Sequence, residues 1–206
     1  MSPPVIIDAG PSLNFFAANQ ERLLIGVVGP LAMPRTVHDE IANKTARDKR
    51  FSAAAGVLRK IRGTQFLAIL EDDYTSALDN VVHRLTGAPL EERRSLPKDL
   101  GEIMVIAHAV VMAESGADVR VVIDDGYGAR LAAREAQRLE RLKKRQRGVG
   151  CLSLVSTEVV LEAAVSRGLI KNRGEMRRLY DRLRQLDDGL VPIESTSLLD
   201  KRLWGR

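Results

Sequence analysis

Short apolar runs alternate with helical patterns along the chain, and this alternation restricts the fold more than any other feature of the sequence. The predicted strands cover residues 5–7, 31–34, 66–70, 119–123 and 149–155, with residues 190–193 as a candidate last strand. Stretches with helical periodicity separate these runs, which is typical of βαβ units and of a parallel sheet with helices on both faces. We therefore expect an α/β fold, an α/β/α sandwich with a mainly parallel central sheet.

Acidic residues stand at the ends of these predicted elements. Asp8 follows the first strand, and Asp124 and Asp125 follow a later β-branched strand. Asp99 and Glu102 are three residues apart at the start of an apolar helix, so they share its first turn. Because sites in parallel α/β sheets lie at the carboxyl ends of strands, we expect these acids to converge on one point.

Carboxylates gathered at one point are suitable ligands for a hard divalent metal. Mg²⁺ and Mn²⁺ prefer oxygen ligands, and crowded carboxylates repel one another unless a cation lies between them. The sequence therefore predicts a Mg²⁺ or Mn²⁺ site. The candidate ligands are Asp8, Glu40, Asp99, Glu102, Asp124 and Asp125.

Each candidate acid also has an ordinary structural interpretation. Asp99 and Glu102 fit a helix capping box, in which both side chains bond to the backbone. Glu40, one turn into a predicted helix, is also typical of a solvated residue favoured by the helix dipole. Asp124 and Asp125 precede a glycine and fit a turn, and Asp8 with the three residues after it fits another. Only their joint placement favours metal binding.

The composition favours a polyanionic partner and a chain with a substantial core. The formal net charge is +5 and the sequence pI is about 9.6, which favours nucleic acid. Aromatic residues make up only 4% of the chain, which argues against a stacking platform for bases. The single cysteine, Cys151, gives no disulfide framework.

No targeting or membrane segment is expected. The first residues lack the basic and apolar regions of a signal peptide. The longest apolar run, residues 103–113, is too short to span a bilayer. We therefore expect a cytoplasmic protein without membrane association. Among the histidines, we expect His108 to be a core or interface residue and His38 and His83 to lie at the surface.

A basic helix predicted over residues 128–147 offers a second functional surface. It begins just after Asp124 and Asp125, so its first turns should border the acidic pocket. We expect its arginines either to bind the phosphates of an RNA substrate or to form an ordinary solvated face. The candidate residues are Arg130, Arg134, Arg138, Arg141 and Arg145.

Four segments resemble the motifs of the PIN-domain nucleases in their order and spacing. They are residues 5–12, 37–41, 100–107 and 121–132. The resemblance covers roughly residues 4–167 and is closest to the VapC-like toxin subgroup. It implies a PIN-like nuclease domain over residues 1–167, with residues 168–206 as a C-terminal extension packed on the same domain.

The resemblance also implies roles for individual residues. In the family, acids at these positions hold Mg²⁺ or Mn²⁺, and the roles fall on Asp8, Glu40, Glu102 and either Asp124 or Asp125. Asp99 would be a further ligand or a helix cap. Ser12 stands where the family often has a hydroxyl that supports the first Asp, and we place it among the substrate-binding residues.

The expected function is that of a metal-dependent endoribonuclease. The resemblance implies the toxin of a toxin–antitoxin pair, with a small antitoxin protein as partner and a homodimer as the assembly. Many relatives have Asp where this chain has Glu102, which leaves open a non-catalytic PIN-like module that binds RNA or protein. A DNA nuclease is a third, weaker alternative.

Overall fold

A five-stranded parallel sheet forms the centre of the structure. The computed structural model describes residues 4–124, 126–187 and 189–205. The strands are β1 Val5–Ile7, β2 Leu31–Pro34, β3 Leu67–Leu70, β4 Val119–Val122 and β5 Leu152–Val155. Their order across the sheet is β3-β2-β1-β4-β5, and every adjacent pair is parallel. The predicted α/β class with a parallel sheet is therefore confirmed.

Helices flank this sheet, as the alternating pattern of the sequence predicts. The first helices are α1 Ala9–Ala17, α2 Glu21–Val28, α3 Arg35–Arg47, α4 Ser52–Ile61, α5 Ser76–Thr86 and α6 Leu90–Arg94. The others are α7 Leu100–Glu114, α8 Tyr127–Lys143, α9 Thr157–Ser166, α10 Arg173–Leu186 and α11 Lys201–Trp204. Two short 3-10 helices cover Lys49–Phe51 and Ile193–Ser195.

The central strand β1 explains why this sheet must be covered on both faces. Val5, Ile6 and Ile7 are all buried, which is the pattern of a strand that packs against helices above and below. Helix α7 is buried in the same core and packs against α3, α5 and α8. Helical spacing within the apolar run 103–113 predicts that four residues are buried, and each is at most 1% exposed: Ile103, Ile106, Ala107 and Val110.

Three stretches differ from the sequence-based expectation. The periodic apolar residues of the charged stretch 44–62 predict one helix. Extended backbone at Asp48 instead ends α3, and the Asp48 carboxylate accepts a hydrogen bond from the Arg50 N–H at 3.0 Å. The polar composition of residues 87–97 predicts a loop. This stretch contains α6, because the buried Leu90 begins a helical turn whose first N–H donates to Asp79. Residues 190–193 form no strand, since a turn to Asp187 precedes them.

The C-terminal residues extend the same core. Met176, Tyr180 and Leu183 on α10 are fully buried, and α10 packs against α1. Helix α11 packs against α9. Among the described helices, none combines the length and the apolar character that crossing a membrane requires.

Candidate functional site

The strand order places a crevice at the carboxyl ends of β1 and β4. The chain runs from β1 outward to β2 and β3 on one side, and later to β4 and β5 on the other. Ligands of open parallel sheets bind where the strand order reverses in this way. Asp8 directly follows β1, and Asp124 comes two residues after β4, so both predicted acids lie at this position.

Asp8 is a buried carboxyl without a complete set of partners. It precedes α1 with an extended backbone, and its side chain makes no capping hydrogen bond. Only 8% of the residue is exposed, and Oδ1 has no hydrogen-bond partner among the described residues. Burial raises the pKa of Asp8 to about 6, with further contributions from the charges of Glu40 and Asp124, while the N–H groups of Ala9 and Gly10 oppose the rise.

Ser12 holds the main chain of Asp8 in place. The Ser12 hydroxyl donates to the backbone oxygen of Asp8 at 2.7 Å, and the residue is fully buried. The expectation that Ser12 supports the first Asp agrees with this contact. The prediction that Ser12 binds substrate is wrong, because its hydroxyl is fully buried and bonded to the main chain, so it does not face solvent.

Glu40 and Glu102 reach the crevice from two neighbouring helices, α3 and α7. Desolvation raises the pKa of both carboxyls. The charge of Glu102 raises the pKa of Glu40 further, and the charges of Asp8 and Asp99 do the same for Glu102. Glu102 Oε2 is buried without a partner among the described residues. The two side chains therefore belong to the same electrostatic cluster as Asp8.

Two glycines make room for these carboxylates. A Cβ at Gly101 would lie 2.6 Å from Glu40 Oε2, while a Cβ at Gly128 would lie 2.5 Å from Ile123 Cδ1 and 3.0 Å from Glu102 Oε2. Neither glycine has a positive φ, so close packing rather than backbone freedom explains the residue type. A larger residue at position 101 would displace the Glu40 carboxylate, whereas one at position 128 would first meet Ile123.

Asp124 is held by Thr157, which the sequence reasoning missed. The Thr157 N–H donates to one carboxylate oxygen at 2.7 Å, and the Thr157 hydroxyl donates to the other at 2.8 Å. Burial nevertheless raises the pKa of Asp124, with the charge of Asp187 adding to the effect. The signal in the sequence was a hydroxyl residue at the start of the helix that follows β5, on the same edge of the sheet.

Asp187 is a second residue that sequence reasoning missed. It ends α10, and its Oδ2 accepts a hydrogen bond of 2.6 Å from the side-chain amide of the buried Asn14 on α1. This bond holds the acid close enough to Asp124 to raise the pKa of that carboxyl. No local pattern predicts this, because the two bonded residues are 173 positions apart.

Asp99 does not act as a capping residue. It lies at the N-cap position of α7 with a left-handed backbone, φ 57°, and its side chain makes no capping hydrogen bond. The capping-box interpretation is therefore wrong for Asp99 and Glu102. Asp99 instead adds negative charge beside Glu102. Asp125, the remaining candidate acid, lies outside the described residues.

A buried polar network holds α3 and α7 together near the crevice. Asp72 accepts hydrogen bonds from both the N–H and the hydroxyl of Thr36 on α3, at 2.7 and 2.6 Å, and it bonds His108 Nε2 on α7 at 2.8 Å. Although burial opposes it, these bonds keep the pKa of Asp72 below its usual value. His38, which was expected at the surface, is buried and bonds Asp39.

The arginines of α8 divide into two groups. Arg138 forms ion pairs with Glu114 and with the buried Glu135, so it is not a free phosphate ligand. The others are exposed: Arg130, Arg134, Arg141 and Arg145. Arg130 lies close enough to Glu102 to lower the pKa of that carboxyl, so the helix starts beside the acids, as the sequence predicts.

The donor set suits a hard divalent cation, although the described residues do not form a closed metal site. The cluster offers only carboxylate oxygens, and those of Asp8 and Glu102 include atoms without partners. Within residues 4–124, 126–187 and 189–205, no group of three or more His, Cys, Asp or Glu side chains is arranged to hold a metal ion. The four carboxylates thus interact electrostatically, in a more open arrangement than a coordination shell.

Comparisons with family models, with curated proteins and with solved structures each found no match to this chain. The functional conclusion therefore depends on the geometry and electrostatics of the site.

Proposed function

We propose that this protein is a metal-dependent endoribonuclease that binds Mg²⁺ or Mn²⁺ through Asp8, Glu40, Glu102 and Asp124. One observation carries the proposal: four carboxyls from four different elements interact at the switch point of the sheet, and the pKa of each is raised. Asp99 and Asp125 remain candidates for additional ligands.

The energetic cost of this arrangement supports a bound cation. Buried carboxyls are normally satisfied by hydrogen bonds or by an opposite charge, since an unpaired buried charge is strongly unfavourable. Here Asp8 and Glu102 each keep a partnerless oxygen next to other acids. Acids whose pKa is raised and that converge in a crevice are typical of functional sites. A divalent cation bound between the carboxylates would attract each of them and offset their mutual repulsion.

The chemistry follows from the residues that line the crevice. When bound, the metal would polarise the phosphodiester and lower the pKa of an attacking water. Thr157 fixes the orientation of Asp124 and leaves lone pairs on both oxygens for coordination. Ser12 fixes the backbone of Asp8. The net charge of +5 favours a polyanionic substrate, and the exposed Arg130 lies beside Glu102.

The direct test is cleavage of a labelled single-stranded RNA by the purified full-length protein. Mn²⁺ should permit cleavage and EDTA should stop it, and Asp8→Asn should be inactive because an amide is a poorer ligand for a hard cation. Single-stranded DNA of the same sequence is the control polymer. Cleavage that continues in EDTA, or in a folded Asp8→Asn variant, would overturn the proposal.

A second candidate is a PIN-like module that binds RNA or protein without cleaving it. The observation that favours it is the open arrangement of the described acids, none of which form a group arranged to hold a metal. The same assay separates the candidates, because the second one predicts RNA binding that Mn²⁺ and EDTA leave unchanged and no cleavage under either condition.

The toxin setting is the finer part of the proposal, and its support is the resemblance of the motif order to the VapC-like subgroup. A toxin should arrest growth when it is expressed in a bacterial host, and Asp8→Asn should not. If the host grows normally while the wild-type protein is expressed at a level that cleaves RNA in cell extracts, the protein is a ribonuclease but not a toxin. A small antitoxin and a homodimer remain predictions of the same resemblance.

A further inference from the structure

A cavity opens beside Glu40, on the side of α3 that faces α7. Its volume is about 470 Å³, within the range of roughly 300–1,000 Å³ that ligand pockets occupy. Helix α3 supplies one wall and the start of α7 the other. The lining residues are Thr36, Asp39, Glu40, Asn43, Lys44, Arg47, Pro97, Leu100 and Gly101.

The side chains that line this cavity are acidic at the end near Glu40 and basic at the other end. Glu40, Lys44 and Arg47 recur at helical spacing, so they lie in a row along one face of α3. Lys44 is close enough to lower the pKa of Glu40, and neither Lys44 nor Arg47 forms a salt bridge within the described residues. The other acid in the lining, Asp39, bonds His38. The outer end of the cavity is therefore positive.

The walls between these two ends suit the rest of a nucleotide. Leu100 and Pro97 offer apolar surface, and Asn43 offers an amide that both donates and accepts hydrogen bonds. Ligand pockets combine apolar walls with a few such polar groups. The cavity starts at a proposed metal ligand, so whatever fills it is adjacent to the reaction.

We propose that this cavity binds the nucleotide next to the scissile phosphate of a single-stranded RNA, with the following phosphate on Lys44 and Arg47. The inference rests on the proposed nuclease function and adds a substrate path to it. Single-stranded RNA fits because an unpaired nucleotide can enter a pocket, whereas a base in a duplex cannot without being extruded. The phosphate contacts position the strand, and Asn43 is the residue that can read the base.

The test compares two double variants with the same loss of charge. Lys44→Gln/Arg47→Gln removes the cavity cations, while Arg59→Gln/Lys60→Gln removes two exposed cations from α4. Affinity for a fluorescein-labelled single-stranded RNA is measured by anisotropy with Ca²⁺ present, at several salt concentrations. The cavity variant should bind roughly tenfold more weakly, and its slope of log affinity against log salt should flatten by about 1.4, or about 0.7 per contact.

Two further variants separate a charge effect from folding and from cavity shape. Lys44 packs over the Phe51 ring, so its replacement could also affect folding. Arg47→Gln alone leaves this contact intact, and it should give about half of the change in the salt slope. Asn43→Trp keeps every charge but fills the cavity, and it should raise KM for RNA cleavage with little change in kcat.

The outcomes distinguish this inference from the proposed function. If the wild-type protein binds and cleaves RNA and the two double variants behave alike, the cavity does not bind the strand, although the nuclease proposal stands. If the wild-type protein neither binds nor cleaves RNA, both proposals fail. If Asn43→Trp cleaves with an unchanged KM, no nucleotide enters the cavity.

Discussion

Asp8 is a buried acid whose pKa changes on folding, and this makes its charge measurable in the stability of the protein. Its pKa rises from 3.8 to about 6 on folding. The folded state therefore holds a proton that the unfolded state has released, so stability is highest at low pH and falls as pH rises through about 6. Between pH 4.5 and 7.5 this single carboxyl should cost roughly 2 kcal/mol.

Asp8→Asn should remove this pH dependence. Without metal, the free energy of unfolding of this variant should equal or exceed that of the wild-type protein at pH 7.5. At pH 4.5 the wild-type protein gains about 2 kcal/mol relative to the variant, because its Asp8 is then protonated. The measurement is urea denaturation in EDTA at both pH values. A variant that is less stable than wild type at pH 7.5 would show that Asp8 is not destabilising in the metal-free protein.

At the scale of single elements, the first turn of α7 depends on Gly101. Gly101→Ala should gain up to about 1 kcal/mol of helix propensity, yet its Cβ must displace the Glu40 carboxylate that lies 2.6 Å away. We expect a folded protein of near-normal stability that binds Mn²⁺ about tenfold more weakly, measured by calorimetry. Gly56→Ala on α4 is the matched control, because a Cβ there meets nothing within 4 Å. Equal Mn²⁺ affinity in both variants would argue against Glu40 as a ligand.

The basic helix α8 has separate structural and proposed binding roles. Replacing Arg134, Arg141 and Arg145 with Gln should weaken binding of every single-stranded RNA and flatten the salt slope by about 2, at roughly 0.7 per lost contact. Arg138→Gln should instead reduce stability by about 1–3 kcal/mol, because the buried Glu135 loses one of its two arginine partners. The two variants are compared by anisotropy and by thermal unfolding. An unchanged slope in the triple variant would mean that these arginines face only solvent.

The elements show which parts of the structure are readable from sequence. The strands and the helices that carry Asp8, Glu102 and Asp124 could be predicted, because apolar periodicity is local and acids at element ends are visible directly. The bond from Thr157 to Asp124 and the bond from Asn14 to Asp187 could not, because each joins residues far apart in the chain. The fit of Gly101 against the Glu40 carboxylate has the same origin. Helix α6 was missed because its single turn is too short for a periodic signal.

At the scale of the whole molecule, the strand order determines where all these residues meet. Four crossovers in a parallel sheet bring the ends of β1 and β4 together, and the same crossovers set α3 and α7 beside them. Asp72 then joins α3 to α7 from the end of β3, which fixes Glu40 relative to Glu102. The cluster is therefore a property of the complete fold, and the stability of the fold should respond when a cation enters the cluster.

Mn²⁺ should stabilise the folded protein by binding only to it. At a concentration one hundred times the dissociation constant, the gain is about 2.7 kcal/mol, which corresponds to a rise in Tm of about 5–10 °C for a chain of this size. The double variant Asp8→Asn/Glu102→Gln should lose most of this rise relative to its own Tm in EDTA. The control Glu91→Gln/Glu92→Gln removes two exposed acids from α6 and should keep it.

The rise in Tm should also depend on pH in a direction that the pKa of Asp8 determines. Protons and metal compete for the same carboxylate, so the metal binds more weakly when Asp8 is protonated. With a pKa of about 6, Asp8 is mostly ionised at pH 7 and mostly protonated at pH 5, which lowers the apparent affinity for Mn²⁺ roughly tenfold. Thermal unfolding with a fixed Mn²⁺ concentration at pH 5, 6 and 7 measures this loss. A shift in Tm that is the same at all three pH values, or the same in Asp8→Asn/Glu102→Gln, would place the metal somewhere other than this cluster.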